Sequence, residues 1–217
     1  MKKSMVVSGM NFGTEFISNL YKAVIKRGGT EEQMFDAMKT NSGLTETVAD
    51  LIVGIKKLAL KYLALVQRGI SIATEMFPKR SFFSDGPKLY FWNNFKNWVL
   101  SEIPEIIPAY TGTLSKYTLT KGMDDAEIQG ELGNQKAFTV PEFAAIIKDL
   151  IGKQPKGEKN GILLNNGYAN IFYVKLANKT VVAVNVRWLG GDREWHFRAN
   201  ALDRVRWDDG DCVFSGS

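Results

Sequence analysis

Apolar residues in the first quarter of the chain recur at three- and four-residue spacing, which is the period of an amphipathic helix. This spacing predicts helices over residues 13–27, 30–38 and 45–58. Thr30 opens the second segment with the form of a capping box, in which its hydroxyl accepts a bond from an orphan N–H group. Together the three segments predict a small N-terminal helical bundle.

The apolar pattern over residues 61–75 is compatible with two structures. It fits a continued helix, and it also fits two short strands around Gln67-Arg68-Gly69. Ile70 and Ile72 alternate with polar residues, which favours a strand for the second piece. The sequence leaves both alternatives open for the first piece.

An aromatic-rich segment covers residues 77–98, and after the break at Asp85-Gly86-Pro87 the pattern predicts a helix over residues 89–100. Two prolines then mark an irregular stretch that ends near residue 108. Such stretches often separate domains. We therefore expect a helical, aromatic-rich region over residues 1–108 and an α+β region over residues 109–217.

The second region begins with a predicted pair of helices, over residues 124–132 and 141–151. After residue 161 the apolar period changes to two, which predicts strands over residues 171–176, 180–188 and 193–199. The connections between these strands are short, so neighbouring strands must be antiparallel.

The expected fold class follows from these segments. It is α+β: an N-terminal helical bundle, then a helical hairpin packed on a C-terminal antiparallel β-meander of three to four strands. Trp207, Val213 and Phe214 are expected to return as a last strand or as a strap over the sheet.

The composition is that of an ordinary globular protein, with 217 residues, 45% apolar residues and 24% charged residues. The chain has one cysteine, Cys212, and one histidine, His196, so it has no internal disulfide and no Cys/His zinc set. A reducing, cytoplasmic compartment fits these features. Lysines interrupt the strongest apolar window, so we expect no membrane span. We assign no cofactor.

Several phrases of the chain look familiar as a set. They are Gly28-Gly29-Thr30-Glu31-Glu32, Phe91-Trp92-Asn93-Asn94-Phe95, Asp124-Asp125-Ala126-Glu127-Ile128, Asn166-Gly167-Tyr168-Ala169-Asn170-Ile171-Phe172-Tyr173-Val174 and Trp207-Asp208-Asp209-Gly210-Asp211-Cys212-Val213-Phe214-Ser215. Together they resemble a group of hypothetical proteins encoded by small uncultivated bacteria of the candidate phyla radiation (Patescibacteria). The resemblance implies a bacterial cytoplasmic setting, and it implies no activity.

The residues able to support catalysis or to bind a metal are few. His196 is the only imidazole, and it shares a predicted strand face with Glu194 and Arg198, which is typical of a mixed-charge surface. The acidic clusters at residues 124–125 and 208–211 are explained by a helix N-terminus and by a turn. The sequence therefore assigns no catalytic residue and no metal site.

A binding face is the strongest functional prediction. Strand alternation places Asn185, Arg187, His196 and Arg198 on one open face. Arginine side chains suit phosphates, and aromatic rings can stack on bases. The candidate binding residues are Asn185, Arg187, His196, Arg198, Arg204, Arg206, Tyr173 and Trp207.

These residues favour a non-enzymatic binding protein, with nucleic acid as the first partner class. The alternatives are a protein–protein interaction module and a hydrolase-type enzyme that uses carboxylates or a bound metal. A plain solvated face, neutralised by acids such as Asp192 and Glu194, is a further interpretation of the same pattern.

Overall fold

The computed structural model of the chain describes residues 61–133, 137–202 and 206–216, together with isolated positions between residues 18 and 32. Its contacts divide the chain into two compact units, residues 1–57 and residues 58–217. The predicted helices over residues 13–27, 30–38 and 45–58 lie almost wholly outside the described residues.

The described part of the second unit contains ten strands, four α-helices and one short 3-10 helix. The strands are β1 (Leu63–Thr74), β2 (Phe77–Pro78), β3 (Leu89–Phe91), β4 (Ile106–Ile107), β5 (Tyr110–Leu119), β6 (Phe138–Thr139), β7 (Asn170–Lys175), β8 (Val181–Leu189), β9 (Glu194–Ala201) and β10 (Cys212–Gly216). The α-helices are α1 (Lys79–Phe83), α2 (Asn93–Trp98), α3 (Asp125–Leu132) and α4 (Val140–Gly152), and the 3-10 helix is Leu100–Glu102. Among these described helices, none has the length and apolar character needed to cross a membrane.

One mixed sheet of eight strands dominates the unit. Its order is β1-β5-β10-β7-β8-β9-β3, and β6 pairs with β7 beside this path. The pairings of β10 with β7, of β6 with β7 and of β3 with β9 are parallel, and the others are antiparallel. Strands β2 and β4 form a separate two-stranded sheet.

The predicted fold class is therefore wrong. The described structure is a mixed α/β protein built on a large sheet, not a helical bundle followed by a helical hairpin on a three- to four-stranded antiparallel meander. The strands predicted over residues 171–176, 180–188 and 193–199 coincide closely with β7, β8 and β9. Their assembly was mispredicted because partners distant in sequence, such as β1 and β5, complete the sheet.

Two segments of the first half also contribute strands: residues 61–75, for which the sequence allowed helix or strand, and residues 89–100, which were predicted to be helical. Residues 63–74 form one strand, whose pairing with β5 is irregular between Leu65 and Ile70. The helix predicted over residues 89–100 is wrong in its first part, because residues 89–91 pair in parallel with β9 before α2 begins at Asn93. A pairing with a distant strand outweighs the local helical pattern here.

The main core lies between one face of the sheet and α4. A capping box of Thr139 and Glu142 starts α4, and the apolar side of the helix, which includes Phe143, is fully buried. In the sheet, the rings of Phe172 and Phe214 stack with centroids 4.8 Å apart. The helix therefore covers the middle of the sheet on this face.

A second, smaller core covers the middle of the opposite face. Ile171 and Tyr173 belong to it, and they alternate along β7 with Phe172 of the main core. Asp125, at the start of α3, is fully buried. Its Oδ1 accepts hydrogen bonds from the Tyr173 hydroxyl at 2.9 Å and from the Trp207 indole N–H at 2.8 Å. This carboxylate ties α3 to the sheet.

We expect Asp125→Ala to lower the free energy of unfolding by about 3 kcal/mol, because a buried donor left without its partner costs about 1–3 kcal/mol and two such donors would remain. Urea denaturation measures this change. Asp85→Ala is the matched control, because the Asp85 carboxylate pairs only at the surface with Arg80 and such pairs contribute about 0–1 kcal/mol. Equal losses in the two variants would contradict the structural role of Asp125.

Candidate nucleic-acid interface

Strands β8 and β9 bring four of the predicted binding residues together. The two strands are antiparallel, with Asn185 opposite Arg198 and Arg187 opposite His196. Directly opposed residues point to the same face of a sheet. The other face of these strands carries buried residues such as Val186 and Phe197, so the four polar residues lie on the side away from the main core.

Strand β3 extends this face with aromatic rings. Tyr90 pairs with His196 in the sheet, and their rings stack with centroids 4.7 Å apart and an interplanar angle of 28°. Trp92 follows at the end of β3, and its ring meets Tyr90 edge to face at 6.0 Å. The two rings are 45% and 48% exposed, so nearly half of each stays available for contact.

A groove lies between these strands and the Trp92 ring, with a volume of about 150 Å³. It is lined by Trp92, Asn185, Arg187, Leu189, His196 and Arg198. The Arg198 guanidinium carbon lies 5.7 Å from the centroid of the Trp92 ring, within the range of a cation–π contact. We call this site the β8–β9 groove.

Three polar atoms of residues that line the β8–β9 groove are buried and have no hydrogen-bond partner among the described residues. They are Oδ1 of Asn185, Nε of Arg187 and Nδ1 of His196. Asn185 is only 8% exposed. Buried polar groups in native proteins are nearly always paired, so three such atoms in one small groove are unusual. They form a site that a polar ligand could satisfy.

Two arginines line the groove, and the neighbouring acids lie close to His196 or Lys88. Glu194 Oε1 lies 3.0 Å from His196 Nε2, and Glu194 Oε2 lies 3.3 Å from Lys88 Nζ. Asp192 Oδ2 lies 3.8 Å from His196 Nε2. None of the described residues that line the groove is acidic, although Arg187 interacts electrostatically with the buried Asp211 outside the lining.

The same acids form the one metal-like cluster found in the part of the chain that the structure describes. The candidate ligand atoms of Asp192, Glu194 and His196 lie within 4.8 Å of one another. The Lys88 ammonium group, however, already pairs with Glu194. The geometry therefore matches a surface ion-pair network at least as well as it matches a cation site.

The structure places three other predicted binding residues, Tyr173, Trp207 and Arg206, away from the lining of the groove. Tyr173 and Trp207 are buried in the smaller core, where both bind Asp125. Arg206 is exposed, but its guanidinium binds the Gly122 carbonyl and lies 3.6 Å from Glu127. Arg204 lies outside the described residues. Tyr173 and Trp207 therefore do not provide the stacking rings that were expected beside the arginines of β8 and β9.

Tyr90 and Trp92 are the aromatic residues that the sequence analysis missed as site residues. The sequence contains three consecutive aromatic residues at this point, Tyr90-Phe91-Trp92. In the structure, Phe91 packs against the main core, whereas Tyr90 and Trp92 are exposed. This alternation is typical of a strand. The expectation of a helix over residues 89–100 hid it.

Asp211 is a buried carboxyl group whose environment includes Arg187. It accepts hydrogen bonds from the backbone N–H groups of Ala169 at 2.6 Å and Asp208 at 2.9 Å. Burial raises the pKa of Asp211, while these N–H groups and the charge of Arg187 act in the opposite direction. The net result is a raised pKa.

A raised pKa means that the folded state holds this proton more tightly than the unfolded state does. The contribution of Asp211 to stability is therefore largest below the ordinary aspartate pKa of about 3.9, and it declines as pH rises through the raised pKa. We expect the stability of the wild type relative to Asp211→Asn to fall as the pH rises from below the ordinary aspartate pKa through the raised pKa of the folded state. Urea denaturation at several pH values measures it, and a difference independent of pH would contradict the assignment.

No family model, no curated protein and no solved structure matches this chain.

Proposed function

We propose that this chain binds single-stranded nucleic acid through the β8–β9 groove and the aromatic rings beside it. Tyr90 and Trp92 stack on unpaired bases. Arg187 and Arg198 bind the phosphates of the same strand, and Asn185 adds a polar contact at the base of the groove.

The observation that carries this proposal is the set of unpartnered atoms in the groove. Oδ1 of Asn185, Nε of Arg187 and Nδ1 of His196 are buried together, beside two exposed rings. Leaving a buried polar group unpaired costs about 1–3 kcal/mol, so a ligand that pairs with these atoms gains that free energy on binding. Phosphates and base edges offer both acceptors and donors.

The aromatic rings favour a nucleic-acid ligand over a simple anion. Each base presents a flat π face, and stacking on an aromatic side chain contributes about 1–3 kcal/mol per base. Trp92 is 48% exposed at the edge of the groove, and the Arg198 guanidinium stands over its ring. A ligand with alternating rings and phosphates would use both kinds of group.

The shape of the site favours a single strand over a duplex. The groove is a concave space of about 150 Å³ on a sheet, which suits a base and its phosphate better than the convex surface of a duplex. Bases in a duplex are already stacked on each other, whereas bases in a single strand are free to stack on Trp92.

We expect Trp92→Ala to weaken binding of a fluorescein-labelled oligothymidylate by about tenfold, because it removes one stacking contact. Fluorescence anisotropy at low salt measures the dissociation constant. Trp98→Ala is the matched control, because Trp98 is also exposed, at 39%, but does not line the groove. This control should bind within about twofold of the wild type.

Replacement of Arg187 tests the phosphate contact separately. We expect Arg187→Met to weaken binding and to reduce the slope of log K against log salt concentration by about 0.7, the contribution of one phosphate contact on a single strand. Arg80→Ala removes the same charge from an exposed ion pair with Asp85 and should leave the slope unchanged.

Two outcomes would refute the proposal. One is the absence of binding by the folded wild type, at low salt, to single-stranded oligonucleotides of mixed sequence. The other is equal loss of affinity in Trp92→Ala and Trp98→Ala, or in Arg187→Met and Arg80→Ala. A duplex of the same length serves as the competitor that separates single-strand binding from general attraction to a polyanion.

A further inference from the structure

The large sheet contains a fork at β7. On one edge, β7 pairs with β8 along its whole length. On its other edge it pairs first with β10, through Phe172, and then with β6, from Val174 onward. Strand β10 continues beyond this point only with β5, through Ser215 and Gly216. Its end therefore leaves β7 where β6 begins.

A crevice opens at this fork. It encloses about 210 Å³ and lies between the sheet and the end of α3. Its walls include the rings of Phe138, Tyr173 and Phe214 and the aliphatic side chains of Leu132 and Val181. Places where neighbouring strands of a sheet separate are common positions for ligand pockets. We call this crevice the fork pocket.

Two polar atoms of residues that line the fork pocket are buried and have no hydrogen-bond partner among the described residues. They are Oγ of Ser215 and Nε2 of Gln129. Ser215 is only 4% exposed, so its hydroxyl is buried at the wall of the pocket. The Tyr173 hydroxyl, in contrast, donates to Asp125. None of the described residues that line the pocket is charged.

We propose that the fork pocket binds a small uncharged aromatic molecule that carries a carbonyl oxygen. The Ser215 hydroxyl and the Gln129 amide both donate to that oxygen, and the ring of the ligand packs between the aromatic walls. A cavity of about 150 Å³ is enough to hold benzene, so a volume of about 210 Å³ accommodates one ring with a short substituent. None of the described residues of the lining is charged, which disfavours an ionic ligand.

This site is distinct from the β8–β9 groove, and no lining residue is common to the two. Its ligand class also differs, since the groove has two arginines and the fork pocket has no charged residue among those described. Failure of one proposal therefore leaves the other unaffected.

Acetophenone is the probe that tests the proposal. Ethylbenzene has nearly the same shape without the oxygen, and benzoate has a negative charge. We expect acetophenone to bind at least about tenfold more tightly than either, because the buried donors would be left unpaired by ethylbenzene and the uncharged walls would not stabilise benzoate. Saturation-transfer NMR detects binding, and titration of protein methyl shifts gives the dissociation constants.

Two variants identify the contacts. Ser215→Ala and Gln129→Leu should each weaken acetophenone binding by about fivefold or more, and should leave ethylbenzene binding unchanged. Ser81→Ala is the control, because Ser81 is exposed and donates to the Pro78 carbonyl away from the pocket. Thermal unfolding of each variant establishes that it is folded.

The proposal is overturned if folded wild-type protein binds acetophenone no more tightly than ethylbenzene. It is also overturned if either folded variant retains wild-type affinity for acetophenone, because that donor would then not contact the ligand. Gln129 lies on a partly exposed position of α3, so Gln129→Leu keeps the test decisive even if Ser215→Ala is unstable.

Discussion

The alternation of side chains along β8 and β9 is the constraint on which the candidate interface depends. Successive residues of a strand point to opposite faces, so burial of Val184 and Val186 in the main core forces Asn185 and Arg187 to the other face. Antiparallel pairing then sets Arg198 and His196 directly beside them. A shift of one residue in this register would place the arginines in the core. Burial of the apolar residues on one face therefore determines which polar residues lie on the other face.

Some polar atoms of this sheet are buried without a hydrogen-bond partner among the described residues. Asn185 is 8% exposed, although it lies on the face away from the main core, and its direct neighbours in the sheet are Arg198 of β9 and Ile171 of β7. Ser215 is in a similar position at the fork, where β10 leaves β7. In both places the backbone arrangement, rather than a local turn or cap, determines which atoms lack partners. The β8–β9 groove lies near the edge strand β3, and Ser215 lies at the fork beside β7.

The candidate interface was partly predictable. Period-two alternation predicted that Asn185, Arg187, His196 and Arg198 share a face, since this requires only that residues 180–199 form strands. The same reasoning could not find the neighbour of this face, because β3 reaches β9 by a parallel pairing across about a hundred residues. Tyr173 and Trp207 were expected to stack on bases, but the buried carboxylate of Asp125 binds both. Nothing in the spacing of these three residues indicates that network.

The sequence by itself determined the local elements β7, β8, β9, α3 and α4. Local patterns suffice there because strand alternation and helix-start signals are carried by residues close together in the chain, even where, as on β7, both faces are buried. Only the tertiary structure decided the eight-stranded order, the strand at residues 63–74, the aromatic edge at Tyr90 and Trp92, and the fork at β7. These features depend on pairing between distant segments, and the free energy of such pairing comes from the partner strand rather than from the local sequence.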